Sequence, residues 1–248
     1  MVGSAENIAC PNFIINTIVA EELGGFADRI EKATDLNAEI NQLLKETISE
    51  HKRIIFSGNN YSEEWEKEAA KRKLYNLKTT VDALPHYKDE KNVRLFAKHG
   101  VLSESEINSR LDILLDNYAN IVHIEALTAL DMARQEILPA VVGYEGFLSS
   151  AINGKRSSGI KNLNLEKKTL TEISVVADKF SDKLDALEKG LLGFPKTGDA
   201  FKRAAYCKDV LLVAMQEVRA FADRIELLIG KRFYPFPNYA DILYSVKY

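Results

Sequence analysis

Four histidines are the side chains of this 248-residue chain best suited to metal or acid–base chemistry: His51, His86, His99 and His123. None has a second His or a Cys at metal-ligand spacing, and no Glu-x-x-His pair occurs for a di-iron site. The carboxylates spread along helix faces as Glu/Lys pairs, and no isolated pair stands out for acid–base work. We therefore predict no catalytic, cofactor-binding or metal-binding residue here, and interpret each histidine as a surface residue or one held by a partner.

Two short motifs imitate phosphate or nucleophile chemistry. The run Gly193–Gly198 looks like a phosphate-binding loop, but its Lys precedes the second Gly and no strand leads into it, which favours a helix connection. Ser158 and Lys161 match a Ser-x-x-Lys pair in spacing only. A basic stretch can meet an acidic partner or a phosphate, although a solvated loop and first helical turn is the favoured interpretation. Its members are Lys155, Arg156, Lys161, Lys167 and Lys168.

Composition narrows the class of protein. Hydrophobic residues make up 46% of the chain, enough for one substantial core or two small ones. The net charge of −3 does not favour nucleic acid. Cys10 and Cys207 are far apart, which fits a reducing compartment and argues against a disulfide scaffold or a zinc site. With no apolar run of about 20 residues and no signal-peptide pattern, we expect a cytoplasmic protein without a membrane partner.

Helical periodicity dominates and predicts an all-α fold, a bundle of long helices. Pro139 should kink or restart the longest helix, and residues 153–159 are predicted to form a loop. Ser103 and Glu106 form a capping box, in which side chains satisfy the free backbone N–H groups at a helix start. The predicted helices cover about 11–33, a segment capped by Thr34 or Asp35, 62–73, 89–100, 103–137, 165–192 and 199–229.

Two segments depart from this pattern. Residues 54–100 form an irregular insert that contains the single Trp, Trp65, and the turn signal at Ser57–Asn60. The turn at Gly58–Tyr61 is either a packed turn pinned by Trp65, which is the favoured interpretation, or a contact for a ligand or subunit. The aromatic tail, residues 231–248, should dock on the bundle. We expect one helical domain over residues 1–248.

The insert and the tail carry a resemblance to the C-terminal region of type III glutamine synthetase. The resemblance is ordered and covers essentially the whole chain. The main matching segments are Arg53–Phe56, Gly58–Ser62 with Trp65, Leu77–Thr80, Asp82–Pro85, Leu95–Val101 and Tyr234–Tyr239. Shorter matches follow at Asn120, Ile124–Thr128 and Ile137–Ala140.

The resemblance implies a division of labour. The family enzyme makes glutamine from glutamate, ammonia and ATP with magnesium or manganese, and assembles as stacked hexameric rings. Residues 1–10 look like a remnant of the preceding catalytic domain, so the catalytic residues would fall upstream of Met1. The resemblance implies a structural and subunit-contact role for this chain, with the catalytic domain of the same polypeptide and further copies as partners. The alternative is a free-standing helical protein that binds glutamine synthetase or another partner.

Overall fold

The computed structural model describes residues 8–244, without the side chain of Tyr239. Within this range the regular structure is helical and includes no strand, so the all-α prediction is confirmed. The first six helices in chain order are α1 (Ala9–Ile30), α2 (Leu36–Glu50), α3 (Glu63–Lys71), α4 (Thr80–Ala83), α5 (Glu90–Lys98) and α6 (Glu104–Met132). Those that follow are α7 (Leu138–Ser157), α8 (Asn164–Leu192), α9 (Ala200–Tyr206), α10 (Leu212–Leu228) and α11 (Tyr239–Leu243).

Local capping chemistry sets many of these helix ends. The Asp35 carboxylate accepts from the Ala38 amide at 3.0 Å and begins α2. Glu106 accepts from the Ser103 amide at 2.8 Å, and Ser103 Oγ accepts from the Glu106 amide at 3.3 Å, which is the predicted capping box. Gly100 follows α5 with φ +62°, a left-handed conformation that favours glycine.

The chain divides into two compact units, one up to Leu114 and the other from Leu115 onward. We refer to them as unit 1 and unit 2 and describe each by itself. The expectation of a single domain stays a prediction.

A small apolar core holds unit 1 together. Phe96 of α5, Leu102 and Ile107 of α6 are almost fully buried. Phe13 of α1 meets Phe96 edge to face with ring centroids 6.0 Å apart, and this contact brings the first helix onto the core. The half-buried side chains Ile14, Tyr87 and Val93 complete the cluster.

The core of unit 2 is built around α8, which packs against both α7 and α10. Phe180, Leu184 and Leu187 recur at three- and four-residue spacing on α8 and are buried. Leu211 and Ile225 contribute equally buried side chains from the C-terminal part of the unit. Phe180, Leu184 and Leu187 form the buried apolar stripe of α8.

Pro139 does not end the helix that contains it. A π-helical turn over Ala133–Ile137 joins α6 to α7, and Pro139 lies in the first turn of α7. A wider turn suits this position because proline cannot donate the backbone hydrogen bond of an ordinary α-helix. A second π-helical turn, Cys207–Leu211, joins α9 to α10 without any proline. The spacing of apolar residues predicts neither turn.

The loop predicted at residues 153–159 is wrong for most of its length, because α7 continues to Ser157. Glycine in a helix interior costs only about 1 kcal/mol relative to alanine. Burial of Leu148 and Ile152 on the inner face of α7 offsets that cost at Gly154. Ser158 caps α7, and the next residue, Gly159, has a φ of +78°, the left-handed conformation that often follows a helix end.

Aromatic contacts hold the described part of the tail on α7. Phe233 lies 5.2 Å from Tyr144 and 5.4 Å from Phe147 between ring centroids. The Arg232 guanidinium stands over Phe147 at 4.4 Å, a cation–π distance. Asn238 and Asp241 cap α11 reciprocally. None of the helices in the described part of the chain is long and apolar enough to cross a membrane.

Candidate functional site

Arg72 organises the first half of the irregular insert. Its Nη1 donates to the carbonyl oxygens of Arg53 at 3.2 Å and Ile55 at 2.9 Å. Its Nε donates to the Glu68 carboxylate at 2.6 Å, one helical turn earlier in α3. A guanidinium can serve three acceptors at once because its donors project in a rigid fork. The side chain thus ties α3 to the segment before the Gly58 turn. We call this set of contacts the Arg72 clamp.

The flat face of the same guanidinium covers two aromatic rings. Phe56 and Trp65 pack with centroids 4.1 Å apart, and the Arg72 carbon Cζ lies 5.9 Å from each ring. Both rings are half-buried. Trp65 therefore packs at the base of the Gly58–Tyr61 turn, as the favoured sequence interpretation predicts.

The tip of this turn projects away from that packing. Tyr61 is 99% exposed. Asn59 holds the turn through its side-chain oxygen, which accepts from the Tyr61 amide at 3.0 Å. Ser62 then caps α3, accepting from the Trp65 amide at 3.4 Å. An ordered base with an exposed aromatic tip suits a contact surface, and whether the tip meets a ligand or a subunit stays a prediction.

The second half of the insert attaches α5 to α1. Lys98 Nζ and His99 Nε2 each bond the Glu21 carboxylate at 2.8 Å. These hydrogen bonds, from Lys98 first and His99 second, lower the pKa of Glu21. With Phe96 in the core and Gly100 ending α5, the segment Phe96–Gly100 has a structural task at almost every position.

The remaining histidines lie apart from one another. The imidazole of His86 bonds Asp89 at 2.9 Å, and that of His123 stacks on Phe194 with centroids 4.3 Å apart. His51 is exposed at the end of α2. In the part of the chain that the structure describes, no three His, Cys, Asp or Glu side chains are placed to hold a metal ion.

The two cysteines have separate environments. Cys10 Sγ lies 2.6 Å from the Tyr87 hydroxyl in unit 1, and burial together with this contact raises the pKa of Tyr87. Cys207 is fully buried in unit 2, where its thiol donates to the Ala119 carbonyl oxygen at 3.4 Å. Burial raises the pKa of Cys207 to about 11, so the thiol stays protonated.

Ion pairs brace the helices of unit 2. Arg134 bonds Glu188 at 2.7 Å and Asp185 at 3.2 Å, which joins the π-helical turn to α8. Arg203 of α9 pairs with Asp116 of α6. Lys155 of the basic stretch pairs with Glu166, while Lys167 and Lys168 are exposed on α8. The basic run therefore includes one lysine held in an ion pair, Lys155, and two exposed lysines near the start of α8.

The outer face of α1 exposes large apolar side chains. Apolar side chains occupy its core-facing side, where Phe13 and Ile14 contact the core of unit 1. Its opposite side carries Ile15, Val19 and Leu23, and Ile8 is the N-cap residue just before the helix. These four side chains are 46%, 48%, 60% and 75% exposed. Their spacing places them in one stripe along the helix. A helix that is apolar on both sides is typical of a buried position.

Comparisons with known proteins identify the class to which this fold and these motifs belong. Residues 39–156 match the family described as Glutamine synthetase C-terminal domain. This span includes Arg53–Phe56, Trp65 and Leu95–Val101, which carry part of the resemblance in the sequence. Over these residues the chain is similar to a glutamine synthetase C-terminal domain.

Three curated relatives extend the similarity beyond that span. A glutamine synthetase of Butyrivibrio fibrisolvens is 36% identical over 86% of this chain. A type-3 glutamine synthetase of Dictyostelium discoideum and a glutamine synthetase of Bacteroides fragilis (strain YCH46) are 29% and 28% identical over 98% of it. The chain is thus homologous to type-3 glutamine synthetase, which confirms the resemblance. It spans about a third of the length of these relatives, covering 31%, 34% and 35% of them.

Proposed function

We propose that this chain is the helical C-terminal part of a type III glutamine synthetase and acts there as a packing and subunit-contact element. The reaction of the parent enzyme, which joins ammonia to glutamate at the expense of ATP, would take place outside this chain. Its partners would be the catalytic domain of the same polypeptide and further copies in a homo-oligomer. The setting would be the cytoplasm, without nucleic acid or membrane as partner.

The exposed apolar stripe on α1 is the observation that carries this proposal. Soluble monomers rarely expose a contiguous apolar patch of this kind unless it serves a contact. Covering four side chains such as Ile15 and Leu23 would contribute several kcal/mol, since each fully buried aliphatic side chain is worth about 1.5–3 kcal/mol. The stripe lies near the start of the chain, where the resemblance puts the junction with the catalytic domain. A polar outer face on α1 would have argued against the proposal.

The use of the motif residues supports the same conclusion. Phe56 and Trp65 pack on each other beside the Gly58–Tyr61 turn, while Phe96 and His99 fasten α5 to the core and to α1. The side chains that define the family segments are thus engaged in folding this region. We assign no ATP, magnesium or manganese contact to this chain, and place these groups on residues that precede it.

Measuring the mass of the native polypeptide tests the proposal. An antibody raised against this 27.9 kDa chain should detect, in cells that express the gene, a single polypeptide about three times as large, because the relatives are about three times as long. Tryptic peptides from α1 should occur in that same band. A band at 27.9 kDa alone would support the free-standing interaction protein instead.

An activity assay gives a second, independent test. The isolated chain should show no ATP-dependent γ-glutamyl transfer above buffer with magnesium or manganese present. Clear turnover that tracks the chain through purification would contradict the structural role.

A further inference from the structure

A long groove runs between α8 and α10 on the surface of unit 2. One face of α8 and one face of α10 line it, at successive turns of each helix. Its volume is about 850 Å³. Along α8 it extends from Lys167 to Lys179, about 18 Å at the helical rise of 1.5 Å per residue. A groove of this length matches about three turns of a third helix.

The floor of the groove is apolar. Val176 is buried, Phe221 is half-buried and Val175 is 49% exposed. Ala220 adds a small side chain, which lets a partner approach the surface of α10 closely. Contact with aliphatic side chains would remove this apolar surface from water and so stabilise a complex, whereas a hydrated ion would gain little stabilisation from it.

The rim is cationic, although the chain as a whole has a net charge of −3. Lys167, Lys168, Lys179 and Arg224 line the groove beside a single carboxylate, Glu172. Glu172 already pairs with Arg224 at 2.9 Å. The three lysines have no carboxylate partner within residues 8–244 as described. The groove therefore presents three uncompensated positive charges around an apolar floor.

We infer that this groove binds an acidic amphipathic helical segment of another protein. Apolar residues at i, i+3 or i+4 and i+7 would lie on Val175, Val176 and Phe221, in the helix-in-groove mode of recognition. Glutamates or aspartates that flank the apolar stripe would meet Lys167 and Lys168 at one end and Lys179 at the other. The charge pattern selects an acidic segment, since a basic helix would meet like charges at both ends. The inference is independent of the proposed function, because it rests on unit 2 surface chemistry alone.

A designed peptide pair tests this binding directly. The probe is a fluorescein-labelled 16-residue helix with a leucine stripe and glutamates on both flanks, and the comparison peptide carries lysines in place of the glutamates. Fluorescence anisotropy with the full chain should show the acidic peptide binding at least about tenfold more tightly. Its affinity should fall several-fold as salt rises from about 50 to 300 mM, because the lysines are exposed and screened.

Matched variants locate the site. The double substitution Lys168→Glu and Lys179→Glu should weaken binding of the acidic peptide at least about tenfold, and Val175→Asn should weaken it without changing its salt dependence. The control, Lys189→Glu with Lys196→Glu, changes the net charge equally at lysines outside the groove. It should leave the affinity within about twofold, and circular dichroism should show all variants folded.

Any one of several outcomes would overturn the inference. They are equal binding of the two peptides, no binding of the acidic peptide at millimolar concentration, equal weakening by the control pair, and occupation of the groove by a second copy of the chain. Sedimentation velocity would reveal the last as a dimer that the Lys168→Glu and Lys179→Glu variant abolishes. Preference for anionic vesicles over the acidic peptide would likewise assign the groove to a lipid surface.

Discussion

Arg72 donates to the carbonyl oxygen of Ile55 at 2.9 Å, although 17 positions separate the two residues. Because Ile55 lies in an irregular segment, no helical hydrogen bond satisfies its carbonyl oxygen, and the Arg72 guanidinium supplies the donor instead. Replacing Arg72 with lysine keeps the charge but removes the fork that reaches Arg53, Ile55 and Glu68 together. We expect Arg72→Lys to destabilise unit 1 by about 1–2 kcal/mol.

The single tryptophan makes the Arg72 prediction measurable. In Arg72→Lys the fluorescence emission of Trp65 should shift to the red, because the guanidinium no longer shields the Phe56 and Trp65 rings from water. The midpoint of urea unfolding, followed by the same emission, should move to a lower urea concentration. Arg94→Lys is the control, since Arg94 forms an exposed pair with Glu90 at 3.2 Å. Unchanged emission and an unchanged transition in Arg72→Lys would show that the clamp does not hold the turn.

Gly58 is the glycine whose replacement should cost most in the insert. A Cβ atom there would lie 2.7 Å from the far edge of the Phe56 ring, and its φ of +156° is strained for other residues. The ring cannot swing aside freely because it packs on Trp65 at 4.1 Å. We expect Gly58→Ala to lower the free energy of unfolding by about 1–3 kcal/mol, measured by urea denaturation followed at Trp65.

Gly24→Ala is the matched comparison for that substitution. Gly24 lies inside α1, and beyond the backbone of its own helix no atom comes within 4 Å of the place that a Cβ would take. Alanine should therefore stabilise the helix by up to about 1 kcal/mol. A loss of stability at both glycines would contradict the steric argument at Gly58.

Lys73 offers a stabilising substitution. It has a φ of +58°, and the bonds from Lys73 N to Ala70 O at 3.0 Å and Leu74 N to Ala69 O at 2.9 Å close α3 in a Schellman motif. A left-handed residue with a side chain costs about 1–2 kcal/mol that glycine avoids. Lys73→Gly should raise stability by about 1 kcal/mol in thermal or urea unfolding. Lys71→Gly, inside the same helix, should do the opposite, and a decrease in both would refute the prediction.

Cys207 should be unreactive in the folded protein. With a pKa raised by burial to about 11, about one thiol in a thousand is ionised at pH 8. In a Cys10→Ser background, a thiol reagent such as DTNB should label less than about a tenth of Cys207 in minutes in buffer and all of it in urea. Rapid labelling without denaturant would show that the thiol is accessible.

The Cys207 thiol should also make the stability of the folded protein fall as the pH rises in the alkaline range. Its pKa is higher folded than unfolded, so the folded state keeps its proton longer as the pH rises. The stability that comes from the protonated thiol is complete below the ordinary value of 9.0 and is lost between there and about 11. Cys207→Ala should remove this part of the alkaline slope in unfolding experiments, while Cys10→Ser should retain it.

The Glu21 carboxylate should make the stability of the protein depend on pH in the acid range. Its pKa is lowered from 4.5 by the bonds from Lys98 and His99, so folding favours the charged carboxylate. The resulting stability is present above 4.5 and is lost as the pH falls through the folded-state pKa. Glu21→Gln should flatten the stability profile below pH 5. Glu22→Gln, at an exposed neighbour, should leave it unchanged, and equal flattening by both would contradict the assignment.

Local hydrogen bonds explain why much of this fold could be predicted from sequence. The starts at Asp35, Ser62 and Ser103 and the stop at Gly100 depend on residues within about four positions of each other. The apolar stripe of α8 likewise follows from a regular spacing. The resemblance to type III glutamine synthetase could also be predicted from the sequence, because the segments around Trp65 and Phe96 occur in the same order as in that family.

The features that prediction missed involve partners far apart in the chain. The bonds of Glu21 to His99 and of Arg72 to Ile55 cross 78 and 17 positions. Gly154 signals a loop by itself, but burial of Leu148 and Ile152 on the inner face of α7 offsets the cost of a glycine in the helix. The groove between α8 and α10 is also invisible in sequence, since it joins Lys179 to residues about 45 positions later, at Arg224.

The sequence by itself determined the helical class, the helix caps and the relationship to type-3 glutamine synthetase. These depend on residue types and short spacings. Only the tertiary structure decided which apolar faces are covered. It packed Phe13 against the core of unit 1, where the side chain is partly buried, and left Leu23 of the same helix 60% exposed, because that core reaches one side of α1 and not the other.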